Sequence, residues 1–251
     1  MGLGINYARL DDVLLQLYMD EDHIAERAAQ AKSAIKQAID EQTGVESSFP
    51  NEPSPPSDLD ASYLGSYSAV HLLRMFAART AGFTLDEAYE LEVDNVAPSV
   101  TSVNRESLDP VSDEPHDEIP EDQGGLVEGS SEADFRIFYG VEIDTVLPVP
   151  PEKVTPFPYY NLVCFSDTEG IYVPVWFPRP IEVDGYFYVG SLMRLQEELV
   201  QLKAAIDAAI DAKGPPDSPK ARYLRTVLEL WRTLHESCAK AVEYSISLVF
   251  E

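Results

Sequence analysis

The sequence predicts an α+β fold, in which helices and strands occupy separate stretches of the chain instead of alternating. Three observations predict it. Apolar residues recur at helical spacing over residues 9–81, β-branched and aromatic runs fill residues 135–189, and helical spacing returns from 190 to 242. The expected architecture is an antiparallel β-meander of about four to five strands. It packs with an N-terminal helical pair and a C-terminal antiparallel helical hairpin, and carries a long acidic loop. One domain is expected over residues 1–251. It divides into a helical part, 1–82, an acidic irregular segment, 83–134, and a part, 135–251, holding the meander, the hairpin and a terminal strand.

Residues 1–23 lack a basic n-region, a continuous apolar core and a small-residue cleavage site, and read as the start of an amphipathic helix. Leu10, Leu14, Leu17, Ile24, Ala28, Ala31, Ile35 and Ala38 then alternate by four and three, which predicts one long helix over 9–40. Glu21 alone interrupts that seam. Residues 43–58 are rich in Pro and Ser, without apolar period, and predict a loop. Leu64, Tyr67, Val70, Leu72, Met75 and Phe76 mark a second helix, with Gly82 placed as its left-handed cap. Thr84 and Glu87 are spaced as a capping box for a further short helix.

From Phe83 to Asp134 there are sixteen Asp and Glu residues against one basic residue, Arg105. Low hydrophobicity and scattered prolines, among them Pro110, Pro115 and Pro120, predict an irregular segment from about Pro98 onward. Residues 135–147, 160–165, 171–177 and 181–189 read as strands, with Asp184-Gly185 as a hairpin turn. Pro174 predicts an edge strand or a bulge. Gly190-Ser191 opens a helix that Gly214-Pro215-Pro216 ends. Ser218 as N-cap and Pro219 at the first helical position start the last helix, and residues 244–250 read as a closing strand.

The 44 acidic residues against 18 basic ones give a formal charge of −26. That disfavours direct binding to nucleic acid or anionic lipid, which need a basic footprint, and favours a basic partner. Adaptation to high salt is a second source of such a surface. Cys164 and Cys238 lie in apolar patterns without a CxxC or Cys/His pair, and read as buried free thiols of a reducing compartment. No apolar run approaches the roughly 20 residues that span a bilayer, and the expected location is the cytoplasm.

Glycine-framed nucleotide and nucleophile motifs and HExxH are absent. Among His23, His71, His116 and His235, the pair His71 and His235 fall on apolar helix faces and read as packed rings. His116 among Glu114, Asp117 and Glu118 has no EF-hand spacing, so no metal and no cofactor is expected. The aromatic residues of 157–161, with Tyr172, Trp176, Phe177, Tyr186, Phe187 and Tyr188, read as packing and not as a stacking platform, because only Arg179 is interleaved.

The charge design therefore carries the functional expectation. It is a non-enzymatic acidic binding protein or inhibitor, presenting Asp109, Asp113, Glu114, Asp117, Glu118, Glu121 and Asp122 to a basic protein partner. In composition alone, acidic α+β chains without catalytic motifs resemble bacterial immunity proteins. That resemblance implies a basic toxin or nuclease as partner, with no direct nucleic acid and no membrane. Two other readings stand beside it: an assembly subunit forming a homodimer through the long N-terminal helix, and an enzyme whose site assembles only in three dimensions.

Overall fold

The structure, a computed structural model, describes residues 2–19, 23–46, 49, 52–57, 59–95, 97–100, 135–136, 139–163, 170–183 and 187–250. The elements in chain order are β1 (Gly2–Ala8), α1 (Leu10–Leu17), α2 (Ile24–Thr43), β2 (Ser62–Ser66), α3 (Tyr67–Thr80), α4 (Leu85–Asn95) and β3 (Ala97–Val100). There follow α5 (Ile143–Val146), α6 (Tyr160–Val163), β4 (Gly170–Val173), β5 (Ile181–Val183), β6 (Phe187–Ser191), α7 (Leu192–Asp211), α8 (Pro219–Tyr244) and β7 (Ser247–Phe250). The strands form one sheet in the order β2-β1-β7-β4-β6-β5-β3. Pairing is antiparallel except between β4 and β6 and between β3 and β5. The fold is α+β with a mostly antiparallel sheet and a C-terminal helical pair, as the sequence predicts.

Alternation along the central strands builds two cores. Ile171 and Val173 of β4 and Val249 of β7 face one side, where α1 and α2 lay down Leu10, Leu14, Ala31 and Ile35. Tyr172, Leu248 and Phe250 face the other, against α3, α7 and α8. Period-two strands between two helical layers must alternate apolar with apolar, because neither face meets water. Each fully buried Leu, Ile or Phe contributes about 1.5–3 kcal/mol, so the sheet is held from both sides. Hydrogen bonds then fix the helices on their layer: Trp231 Nε1 donates to the Leu199 carbonyl at 2.8 Å, and the Tyr223 hydroxyl donates to the Leu72 carbonyl at 3.1 Å.

Several local expectations hold in detail. β5 and β6 pair antiparallel with Ile181 opposite Val189 and Val183 opposite Phe187; the turn expected at Asp184-Gly185 lies outside the described residues. Ser191 and Ser218 cap α7 and α8, accepting from the Arg194 and Ala221 backbone N–H groups. β7 returns between β1 and β4, which ties the C-terminal strand into the middle of the sheet.

Other expectations are corrected. The N-terminus is a strand, β1, whose ladder is supplied by β2 and by β7 some 240 residues away. The long helix over 9–40 is two helices, with His23 in the left-handed region at φ 64° between them. Asp20, Glu21 and Asp22, which separate the two helices in sequence, lie outside the described residues. Residues 135–147 contain helical turns instead of a strand. Phe135, Tyr139, Ile143 and Val146 in fact recur at helical spacing, a signal that β-branched composition obscured. Residues 160–163 are also helical, for a reason that lies 36 residues further on: Glu198 caps their backbone N–H groups. Pro174 follows the end of β4, a central strand, so it marks a strand terminus and not an edge. The segment read as irregular from Pro98 begins with a strand, β3.

Candidate protein-binding surface

The charge is not spread evenly. Residues 85–152 hold nineteen Asp and Glu residues against Arg105 and Arg136, whereas 192–244, the helical hairpin, hold eight acidic and eight basic residues. The acidic stretch starts with α4, whose sequence LDEAYELEVDN has five acids and no base. It continues through β3 into residues 101–134 and re-enters the described fold at Phe135. Asp109, Asp113, Glu114, Asp117, Glu118, Glu121 and Asp122 all lie in that segment, outside the described residues. What the structure does describe is the frame on either side of them.

The frame at α4 is built from the end of α3. Gly82 has φ 87° and closes α3, with the Phe83 N–H donating to the Ala78 carbonyl at 3.0 Å. A Cβ on Gly82 would lie 2.2 Å from the Glu152 carbonyl oxygen, so the strap of residues 152–157 crosses here at a distance only glycine permits. The Val154 N–H donates to the Ala81 carbonyl, and Phe157 meets Phe83 edge-on with centroids 5.3 Å apart. α4 then opens with the capping box: the Thr84 N–H donates to Glu87 Oε2 at 2.9 Å, and the Glu87 N–H donates to Thr84 Oγ1 at 3.1 Å. That backbone bond, followed by Lys153, holds the Glu87 carboxyl below its usual range.

At the other end, Phe135 is buried with Tyr139 and Tyr223, at centroid separations of 4.7 and 5.1 Å. α5 follows, and its Asp144 receives the Arg79 guanidinium at 2.7 Å. Arg136 meets Glu142 at 3.2 Å and Lys153 meets Glu87 at 3.1 Å. Each described base beside this stretch is thus engaged by an acid. Asp86, Glu142, Asp144 and Glu152 are exposed along it. These four were counted in the sequence as charge but not as site residues. The Thr84–Glu87 spacing was the signal in the sequence that a helix, α4, begins here.

A second run of acids falls in the sequence of α1 and α2, on the opposite layer. Asp11 and Asp12 occupy the first turn of α1, Glu26 that of α2, and Asp20, Glu21 and Asp22 fall between the two helices in sequence. Asp11 is met by Lys32 at 2.6 Å and by Arg9 at 3.5 Å, and Asp12 by Arg9 at 3.9 Å; Asp20, Glu21 and Asp22 lie outside the described residues.

Two further carboxylates are structural. Glu52 accepts from the Leu10 N–H and the Ser247 hydroxyl, and so caps α1 from a distant loop; burial raises its pKa. Glu198 is fully buried. It accepts from the Asn161 and Leu162 N–H groups at 3.1 and 2.8 Å, with Arg194 Nε 3.5 Å away, and burial pushes its pKa up to about 7.

Of the histidines, His116 lies outside the described residues. His71 Nδ1 lies 3.2 Å from the Tyr89 hydroxyl, and His235 stacks on Trp231 with centroids 4.8 Å apart. Cys238 is buried and its thiol pKa is raised by burial; Cys164 lies outside the described residues. Of the aromatic residues considered for stacking, Phe157, Tyr159, Tyr172, Phe177 and Phe187 are buried, and Tyr186 lies outside the described residues. Among the described residues no group of three potential ligands could hold a metal ion, and no helix is long and apolar enough to cross a membrane. The apolar seam of α1 and α2 packs on the sheet of its own chain, with Ala31 and Ile35 inaccessible, and so is not free to form a homodimer.

Comparison with curated proteins and with solved structures found no match. A family model matches residues 1–250, and its description is "Putative DNA-mimic protein". This overturns the expected partner, a basic toxin without connection to nucleic acid: a family named for imitating DNA is tied to nucleic-acid recognition by mimicry. Composition alone could show the charge but not what it imitates. Over all but its last residue, the chain belongs to this DNA-mimic family of acidic, protein-binding proteins.

Proposed function

We propose that this protein binds the DNA-contacting surface of a DNA-binding protein and inhibits it by occlusion. The family match over residues 1–250 carries the reading. The placement of charge supports it. B-DNA carries one negative charge per about 1.7 Å of its axis, and proteins that bind it meet that density with Lys and Arg. Nineteen acids in residues 85–152 offer such a surface a competing set of carboxylates. α4 and α5 brace both ends of the segment that carries most of them. High-salt adaptation would spread acids over every exposed face, whereas the helical hairpin is neutral by count. On this reading the chain folds as one body over residues 1–251, and it works in the cytoplasm, where DNA-binding proteins are met.

The test is competition. Host DNA-binding proteins are loaded on duplex DNA–cellulose and washed with the purified chain or with polyglutamate of equal total charge. The expected result is selective release of one or a few proteins by the chain, with the same proteins recovered on the immobilised chain and displaced from it by duplex DNA. Equal release by polyglutamate would reduce the effect to bulk charge and defeat the proposal.

A further inference from the structure

α3 buries two guanidinium groups, and among the described residues one of them meets no acid. Leu72, Leu73, Met75 and Phe76 hold the helix in the core, and Arg74 and Arg79 lie on it at 6% and 1% exposure. Arg79 reaches Asp144 at 2.7 Å. Arg74 instead donates from Nε to the Leu162 carbonyl of α6 at 3.1 Å. Its Nη1 and Nη2 have no hydrogen-bond partner among the described residues, yet they are not sealed from solvent. The buried carboxylate that approaches Leu162, Glu198, is already occupied by the Asn161 and Leu162 N–H groups and by Arg194. Of the acids on α4 with described side chains, Asp86 is exposed, and Glu87 accepts from the Thr84 N–H and from Lys153. One turn before Arg74, His71 pairs with the Tyr89 hydroxyl of α4, and α3, α4 and α6 pack against one another.

We infer that the Arg74 fork is a binding site for a small oxyanion, a phosphate or carboxylate group, at the junction of α3, α4 and α6. A guanidinium this far from water destabilises the fold unless an anion shares its site, because a low dielectric penalises a lone charge. The chain has 44 acids, none of the described ones is brought to Arg74, and the counter-ion therefore comes from solution. The free edge of the fork offers two parallel N–H donors, the geometry that holds an oxyanion by two bonds. An exposure of 6% admits one small group and excludes a nucleic-acid backbone or a protein helix. Exposed acids elsewhere on a chain of −26 are screened by salt, whereas the buried guanidinium acts at short range in a low dielectric, so an anion is still held here. Once occupied, the site ties α6 to α3 through the side chain that already holds Leu162. It does not depend on the partner proposed above.

Inorganic phosphate and acetate are the two probes, with chloride as the reference, at fixed pH and ionic strength. Binding to the full chain is read by isothermal titration and by melting temperature, for the wild type, R74M and R74K. The wild type is expected to take up one phosphate or one acetate per chain. Its Tm should rise by about 3–6 °C at ten times the dissociation constant. Uptake of phosphate alone assigns the site to tetrahedral oxyanions and uptake of acetate alone to carboxylates; either result supports it. R74M should lose the uptake, keeping only the Tm rise that phosphate gives any fold through exclusion from its surface. R74K keeps the charge without the fork and should bind at least about tenfold more weakly, which decides the matter if R74M does not fold. No uptake by the wild type, the result if a carboxylate of the chain itself fills the fork, would overturn the inference. So would uptake that R74M or R74K retains in full.

Discussion

Replacing Glu198 by Gln isolates one buried charge whose effect on stability can be worked from its surroundings. Glu198 has no exposed surface, and its carboxylate is held by two backbone N–H groups of α6, the Asn161 amide and Arg194. Those contacts favour the charged form, yet burial outweighs them and raises the pKa from the ordinary 4.5 to about 7. The folded protein therefore keeps a proton over a range in which the unfolded chain has released it. Stability from this group is fully present below about pH 4.5 and is lost as pH rises through about 7. At about 1.4 kcal/mol per pH unit, the gap amounts to about 3 kcal/mol. The assay is urea unfolding of wild type and E198Q at fixed ionic strength from pH 4.5 to 8, with the difference between them taken at each pH. At the acid end E198Q should be the less stable, because its amide brings N–H donors to a site lined by N–H donors. The difference should then move toward the variant by about 3 kcal/mol as pH rises. A flat difference, or one moving the other way, would refute the argument that burial dominates at this site.

Three further outcomes follow from the frame of the acidic surface. Gly82→Ala should lower stability by roughly 2–4 kcal/mol, because the added Cβ meets the Glu152 carbonyl and L-residues strain at this φ; a Tm within a degree of wild type would contradict that crossing. Ser218→Ala should cost about 1 kcal/mol in urea by leaving the Ala221 N–H without its cap, and Ser218→Asp should restore most of it. Neutralising Asp86, Glu142 and Glu152 together as amides should reduce the salt dependence of binding to a protein released by the chain from DNA–cellulose, with stability changed by less than about 0.5 kcal/mol. An unchanged salt slope would place the partner elsewhere.

What the sequence made legible was local. The Thr84–Glu87 box, the Ser191 and Ser218 caps and the Gly82 stop depend on residues within a few positions of one another, and each is found where its spacing put it. What it hid was tertiary. β1 is a strand because β7 pairs with it, and α6 is a helix because Glu198 caps it from α7. Neither cause leaves a mark in the segment it acts on. The candidate surface divides the same way. The excess of acid was countable, but the packing of Phe135 against Tyr223 and the reach of Arg79 to Asp144 across 65 residues, which anchor the far end of the acidic stretch, were not.

The excess of acid over residues 85–152 sets two demands against each other. On the proposed reading, carboxylates that compete with phosphates also repel one another, and the fold bears that repulsion in the absence of a partner. The means are visible at the two ends of the segment. Arg79 is 1% exposed, and it spends its guanidinium on Asp144 and on the Leu147 carbonyl at 2.9 Å. The aromatic contacts of Phe135 and the Gly82 crossing add attachments that carry no charge and so are indifferent to salt. Salt then acts in opposite senses on the two properties. Screening relieves the repulsion among the acids and should raise the urea midpoint of the free protein, while the same screening weakens the attraction to a cationic partner. A protein made acidic only to survive high salt would show the first response without needing the second. Measured together on one preparation, a midpoint that rises with salt and an affinity that falls with it identify the charge as one kept for binding, at the expense of the stability of the unbound fold.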